Sequence, residues 1–416
     1  MTKKNPIYLT VLLVALAIVL TFQLTMILTD GYSRLFSGGK DTSDTAGAGI
    51  IDDSTMKKLR EVAEKYAAFF PGECDAEQIE EYLITSLIAG AGDKFGNYIS
   101  SDELDDYLGN INGNFKGIGV SVIYSTDTGG LEIVSVFPDT PAERAGLLAG
   151  DIITYVGIGE DKQSVREIGY YKAIELIRGE EGTHAQFVAF RGGEEIEFSV
   201  ERAEVTNQTV DWHLYEYDSR VAVIRITQFE KVTLEQFKNA MNEAQAAGAE
   251  AYVFDVRSNP GGELNTIVSI LDMLLPEGPV IRIQYKDSKH NTELGSDAAC
   301  INAPMAVICN GSTASAGELF CSALQDYKKA KLIGTQTYGK GTMQSMMNLS
   351  DGSAISLTIA YYLPPFSENY HGVGVTPDIV CEISEELAGI NIHKYTDAND
   401  NQLREAVASL GLSAKQ

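Results

Sequence analysis

At 416 residues the chain exceeds what one ordinary hydrophobic core serves, so two or three folded units are expected. Its 44% hydrophobic and 22% charged residues exclude a disordered or fibrous protein. Fifty-eight acidic against 32 basic residues leave a formal charge of −26, which repels nucleic acid and argues against it as a partner.

No residue between Lys4 and Asp30 is charged, and residues 7–28 are mostly Leu, Val, Ile, Ala and Thr. At about 1.5 Å rise per residue such a helix crosses about 30 Å of hydrocarbon, so residues 1–30 are expected to hold a cytoplasmic N-terminus and one transmembrane anchor. The stretch is longer than the roughly 7–15 apolar residues of a secretory leader, and no small-x-small cleavage site follows it. Lys3 and Lys4 lie before the span and Asp30 after it, which orients the N-terminus to the cytoplasm and the bulk of the chain outside the cell membrane. Residues 31–50, rich in Gly, Ser, Thr and Asp, have little to bury and are expected to form a flexible linker.

Residues 51–112 form an expected helical region. Met56, Leu59, Val62, Tyr66 and Phe69 recur at helical spacing, as do Ile79, Leu83 and Leu87, and Ser100 with Glu103 has the pattern of a capping box. A docking or dimerisation arm, and hence a homodimer, is compatible with so small a helical unit. Residues 113–204 change to short β-type runs between Gly-rich turns, interrupted by one helix near 169–178. From 205 to 385, strand runs such as 221–227 and 251–256 alternate with helical stretches such as 234–247, the pattern of an α/β core. Residues 386–416 contain one amphipathic helix over 399–410. The five cysteines are widely spaced, odd in number and lack a C-x-x-C pair, so neither a disulfide framework nor zinc is indicated. Cys309 and Cys321 sit in apolar runs as small core residues. No metal or organic cofactor is implied.

In Phe115-Lys-Gly-Ile-Gly-Val120 two glycines precede a strand, which lets successive backbone N–H groups turn toward one anion such as a peptide carboxylate. Downstream, Thr140-Pro-Ala-Glu-Arg-Ala-Gly-Leu-Leu-Ala-Gly-Asp-Ile-Ile153 resembles the turn-helix-turn-strand signature of PDZ domains in bacterial proteases, and Glu175-Leu-Ile-Arg-Gly-Glu-Glu-Gly-Thr183 resembles the end of the PDZ helix. The resemblance implies a PDZ β-sandwich or barrel whose Gly117, Ile118, Gly119 and Val120 receive a free, apolar C-terminal tail of a protein or peptide substrate by strand addition.

Asn310-Gly-Ser-Thr-Ala-Ser-Ala-Gly-Glu-Leu-Phe320 follows an apolar strand and opens an apolar-periodic helix, placing Ser315 at a strand-to-helix turn. There its hydroxyl meets the positive helix end and the N–H of Ala316 is free for an oxyanion. The same Ser315 with Glu318 also makes a capping box worth about 1 kcal/mol, and this segment alone does not choose between the two roles. None of His184, His213, His290, His371 or His393 shows a triad pattern. A buried lysine can replace histidine, because desolvation brings its amine toward neutrality. Lys340, between glycines in Thr337-Tyr-Gly-Lys-Gly-Thr-Met-Gln344, is such a candidate, and the spacing to Gln344 is expected to let that side chain orient the amine.

Together these motifs resemble the carboxyl-terminal processing proteases, a family marked by a serine in S-A-x-E and a lysine and glutamine in G-K-G-x-x-Q. Asp255-Val-Arg-Ser-Asn-Pro-Gly-Gly262 resembles that family's D-x-R-x-N-P-G-G loop, and the segments 90–98 and 372–378 resemble two further motifs. The resemblance spans about residues 56–410. It implies a crotonase-like α/β catalytic core with Ser315 as nucleophile, Lys340 as general base, Gln344 positioning the lysine, and the backbone of Gly261 or Gly262 with Ala316 as oxyanion donors. The function it implies is a membrane-anchored extracytoplasmic serine endopeptidase whose PDZ domain regulates cleavage, including cleavage of signalling partners. The alternative is a non-catalytic PDZ scaffold that binds protein C-termini outside the cell.

Overall fold

A computed structural model describes residues 51–412 apart from Thr126. The expected membrane span and linker lie outside the described residues, and among those described no helix is long and apolar enough to cross a membrane. The chain divides into two compact units at Ile79 and Glu80. In the first, α1 (Asp53–Phe69) is capped by the Asp52 side chain, which accepts from the Thr55 N–H at 2.7 Å. Its helically spaced Met56, Leu59, Val62, Tyr66 and Phe69 are exposed. The helix α2 (Ala76–Gly90) begins in this unit and carries the chain into the second.

The second unit opens with β1 (Asn97–Ile99) and α3 (Ser101–Asn112). The chain then enters β2 (Asn114–Gly117), turns through Ile118 and Gly119, and builds β3 (Val120–Ser125), β4 (Gly130–Val136), the short α4 (Pro141–Arg144), β5 (Ile152–Val156), β6 (Gln163–Ser164), α5 (Val165–Ile177), β7 (His184–Arg191) and β8 (Glu194–Glu201). The strand β9 (Ala203–Thr206) returns to pair with β2, from Asn114↔Thr206 to Gly117↔Ala203. The strands β3, β4, β5, β7 and β8 lie in that order in one sheet, with β6 on β5. Leu131, Ile133, Ile153 and Phe187 of its inner face pack with Ala173 and Ile177 of α5.

The expectation of a barrel is corrected here: the sheet is open. Gly119, at φ +90°, turns the chain out of the β2–β9 ribbon, so β2 does not extend the sheet and, among the described residues, the outer edge of β3 has no strand beside it.

The remaining elements form a mixed α/β core: β10 (Val210–Leu214), β11 (Val221–Ile226), α6 (Thr233–Ala246), β12 (Ala251–Asp255), α7 (Leu264–Leu274), β13 (Gly278–Tyr285), β14 (Thr292–Ser296), β15 (Met305–Cys309), α8 (Ala316–Asp326), β16 (Ala330–Gly334), β17 (Thr342–Asn348), β18 (Ala354–Leu363), β19 (Ile379–Val380) and α9 (Asn401–Ser409). One sheet runs β10-β11-β12-β15-β16-β19, parallel from β11 onward and edged by antiparallel β10. Every residue of β12 and β15 is buried, as a parallel sheet covered on both faces requires. The two-residue alternation of a strand sends Ile224, Phe254 and Val307 toward Phe237, Ile270 and Phe320 of α6, α7 and α8. It sends Val223, Val253 and Ile308 to the opposite face, against Leu403 and Ala406 of α9. The loops that follow β12, β15 and β16 therefore meet at one end of the sheet, where open α/β folds place their sites. A second, antiparallel sheet runs β1-β18-β13-β14 with β17 on β18. Through β1, paired as Asn97↔Ser356 to Ile99↔Ala354, a segment expected to belong to the helical region becomes a wall of this core.

Candidate active site

The chain leaves β15 through a tightly bonded turn. Thr313 Oγ1 donates to the Val256 carbonyl at 2.8 Å, and the Ala314 N–H donates to the Asn259 carbonyl at 2.9 Å. Ser315 follows with φ 55° and ψ −121°, a strained backbone for a residue with a Cβ. Strain of this kind costs on the order of 1–3 kcal/mol and persists only where neighbours over-determine it. Those neighbours lie in the loop after β12. Asn259, wholly buried, donates through Nδ2 to the Ile226 carbonyl at 2.9 Å and accepts the Gly261 N–H at 2.8 Å. A Cβ on Gly261 would lie 2.6 Å from that of Ser315, so only glycine allows the two loops to meet.

Glu318, on the first turn of α8 and fully buried, joins this turn to the loop that carries Lys340. Its carboxylate accepts the N–H of Ser315 at 2.9 Å, of Lys340 at 2.7 Å and of Gly339 at 2.6 Å, and the Thr337 hydroxyl at 2.5 Å. The sequence showed only its local capping partnership; the contacts 19 to 22 residues away have no local signal. Two tyrosines complete the frame. Tyr362 Oη donates to the Lys340 carbonyl at 2.8 Å and lies 3.3 Å from Ser315 Oγ, while Tyr370 Oη donates to the Ser315 carbonyl at 3.3 Å. Burial raises both phenols above their ordinary range. A single tyrosine inside an alternating strand gives no sequence signal of such a role.

Burial pulls the Lys340 amine below the ordinary lysine range, against the opposing pull of the Asp93 and Glu318 charges. Its Nζ sits 4.7 Å from the centre of the Phe95 ring, and among the described residues it makes no hydrogen bond to Ser315 Oγ. The expected contact with Gln344 is also not formed. Four residues bring two side chains together on a helix, whereas β17 is extended and bulged between Met343 and Gln344. Gln344 Nε2 instead donates to Thr342 Oγ1 at 3.2 Å and Thr358 Oγ1 at 3.0 Å. Thr358 passes the connection on, donating through N and Oγ1 to Asp93 at 2.8 and 2.7 Å. Burial works to raise the Asp93 carboxyl, but the bonds from Thr358, Phe95 and Gly96 outweigh it and hold the group below its ordinary range.

Of the expected oxyanion donors, Gly261 has its N–H committed to Asn259, while those of Gly262 and Ala316 have no partner among the described residues. A strained serine beside two undonated N–H groups and a desolvated lysine is the equipment of acyl transfer. Residues 220–381 match the model for peptidase family S41. The relatives that the chain resembles are the carboxyl-terminal processing proteases of that family. It is 27% identical over 406 residues to "Carboxy-terminal processing protease CtpA" of Bacillus subtilis, covering 97% of this chain and 84% of the relative. It is likewise 27% identical over 409 residues to the "Probable CtpA-like serine protease" of Staphylococcus haemolyticus, covering 97% and 79%. The fold is shared with the solved structure of a Bacteroides fragilis protein assigned as an S41 protease, at TM-score 0.55 and 18% identity over 82% of this chain and 91% of that one.

Two further features lie outside the serine and lysine loops. A cleft of about 430 Å³ is lined by Gly117, Ile118, Gly119 and Val120, by Ile174 of α5, and by Arg178. The N–H groups of Ile118 and Gly119 have no partner among the described residues, and a Cβ on Gly119 would strike Thr140 at 2.4 Å. On the far side of the β12 loop, buried Arg257 donates to Asp255 at 2.9 and 2.6 Å, to Asp400 at 2.6 Å and to Gln402 at 3.0 Å. Burial alone would depress this guanidinium, but Asp255 and Asp400 hold it above its ordinary range. It clips α9 to the loop that contains Asn259 and Gly261.

Proposed function

We propose that the chain is a membrane-anchored extracytoplasmic serine endopeptidase in which Ser315 is the nucleophile and Lys340 the general base. The observation that carries this reading is the buried Glu318 carboxylate, which accepts the backbone N–H of both residues and so holds a strained serine and a desolvated lysine in one frame. Neutral Lys340 takes the Ser315 proton as Oγ adds to the peptide carbonyl, with the N–H groups of Gly262 and Ala316 facing the oxyanion. Collapse breaks the C–N bond, and protonated Lys340 returns its proton to the leaving amine. Water, deprotonated by the same lysine, then hydrolyses the acyl ester and frees Ser315. Gln344 acts at one remove, through Thr358 and Asp93.

The open edge of β3 beside the Ile118 and Gly119 N–H groups supports a PDZ-type groove that adds an apolar C-terminal tail as a further strand and so regulates cleavage. The anchor rests on residues 7–28 and puts the site outside the cell membrane.

Casein cleavage by the full-length chain tests the assignment. Wild type is expected to cut, and Ser315→Ala and Lys340→Ala to lose at least about 10³-fold in rate while keeping their fold. Equal cleavage by all three sinks the dyad; three inactive proteins that still bind peptide tails would favour the scaffold. Because the lysine must be neutral, the rate falls as pH drops below its folded-state pKa, and a flat profile from about pH 9 to about pH 5 would also remove Lys340 from the role.

A further inference from the structure

We propose that Phe95 is a positioning residue for Lys340, whose ring holds the ammonium form of that lysine and so sets the pH at which Ser315 becomes reactive. The inference rests on Lys340 being the base. An aromatic face attracts an ammonium and not a neutral amine, so a ring 4.7 Å from Nζ stabilises the form that cannot take a proton. The ring is firmly placed. The N–H groups of Phe95 and Gly96 donate to Asp93 at 3.1 and 3.0 Å, and Asp93 is fixed by two bonds from Thr358 of β18. Immediately after Gly96, β1 joins the same strand, so the segment is held at both ends.

The other groups around Lys340 come from three further directions. Glu318 of α8 accepts its N–H, and Tyr362 of β18 donates to its carbonyl. His371, in the loop before β19, accepts the Gly341 N–H through Nδ1 at 3.3 Å and meets the Phe95 ring edge-on at 6.2 Å. Asp93, on the same segment as Phe95, adds a negative charge that also favours the ammonium. None of these groups hydrogen-bonds Nζ among the described residues, which leaves the Phe95 face as the contact made by the ammonium itself. Tyr362 Oη, which donates to the nearer Lys340 carbonyl, also lies 3.3 Å from Ser315 Oγ. Nucleophile and base thus each have a partner other than the other.

The test is the pH dependence of kcat/KM for casein cleavage by full-length wild type, Phe95→Leu and Phe95→Tyr. Leucine keeps the apolar cover over Lys340 but removes the ring face. Its acid limb is expected about half to one pH unit lower, a roughly 3- to 10-fold gain at pH values below the limb with the alkaline plateau retained. Tyrosine keeps the wild-type limb. A lowered plateau with an unmoved limb in Phe95→Leu would mean a merely structural role and overturn the proposal, as would a limb moved upward. Should Phe95→Leu not fold, Phe95→Met, also apolar and without a ring, takes its place under the same criteria. Activity retained in Lys340→Ala would instead overturn the base assignment, so the two failures are distinguishable.

Discussion

The turn that carries Ser315 and the loop that carries Lys340 share one brace but are held to different degrees. Around the serine, Asn259 takes the Ala314 N–H, Glu318 the Ser315 N–H and Tyr370 donates to the Ser315 carbonyl, while Gly261 packs directly against the residue. Around the lysine the backbone is equally well bonded, to Glu318 and Tyr362, but among the described residues the amine at the end of its four-carbon stem meets the Phe95 ring and no hydrogen-bond partner. The difference teaches how such a site divides its labour. On the roles proposed above, backbone bonds in a buried setting would fix where attack occurs, and the proposed proton acceptor keeps the freedom to change partner with its charge.

Breaking the serine side should have the largest effect on the fold. Arg257→Leu strips Asp255 and Asp400 of their buried counter-ion, which costs about 3–5 kcal/mol and is read from chemical denaturation. The loop holding Asn259 and Gly261 loosens with it, so the residual folded protein should cleave casein more slowly. Breaking the shared brace comes next. Glu318→Gln keeps the shape but turns one acceptor into a donor facing two N–H groups, an expected loss of about 2 kcal/mol in stability. A fall of about 10- to 100-fold in kcat with little change in KM would mark positioning rather than binding. Sharpening the lysine side has the smallest effect. Tyr362→Phe removes one bond to the Lys340 carbonyl and the alternative partner of Ser315, for about 1 kcal/mol in melting experiments and a kcat change under about tenfold.

What could be read from the sequence follows the range of each interaction. The strand-to-helix turn at Ser315 and the alternation of 221–227, 251–256 and 234–247 were legible because apolar period and turn chemistry are local. The C-terminal helix expected over 399–410 is Asn401–Ser409, a shift of a residue or two at ends that fray. Arg257 gave no hint of Asp400 or Gln402, 143 and 145 residues away, nor Asp93 of Thr358, 265 residues away. The Gln344 expectation failed for a related reason. Spacing of four implies contact only on a helix, and the chain from Lys340 to Gln344 is a loop entering a strand. The open sheet was not legible either, because which strand fills an edge depends on the path of the chain through Ile118 and Gly119.

The most direct measurement of the central claim is the rate at which a fluorophosphonate labels Ser315 in the full-length chain, from about pH 5 to about pH 10, in wild type and Lys340→Ala. The account predicts labelling that rises with deprotonation of a single group in wild type and falls at least about 10²-fold at every pH in the variant. Labelling that is independent of pH, or undiminished without Lys340, would contradict it.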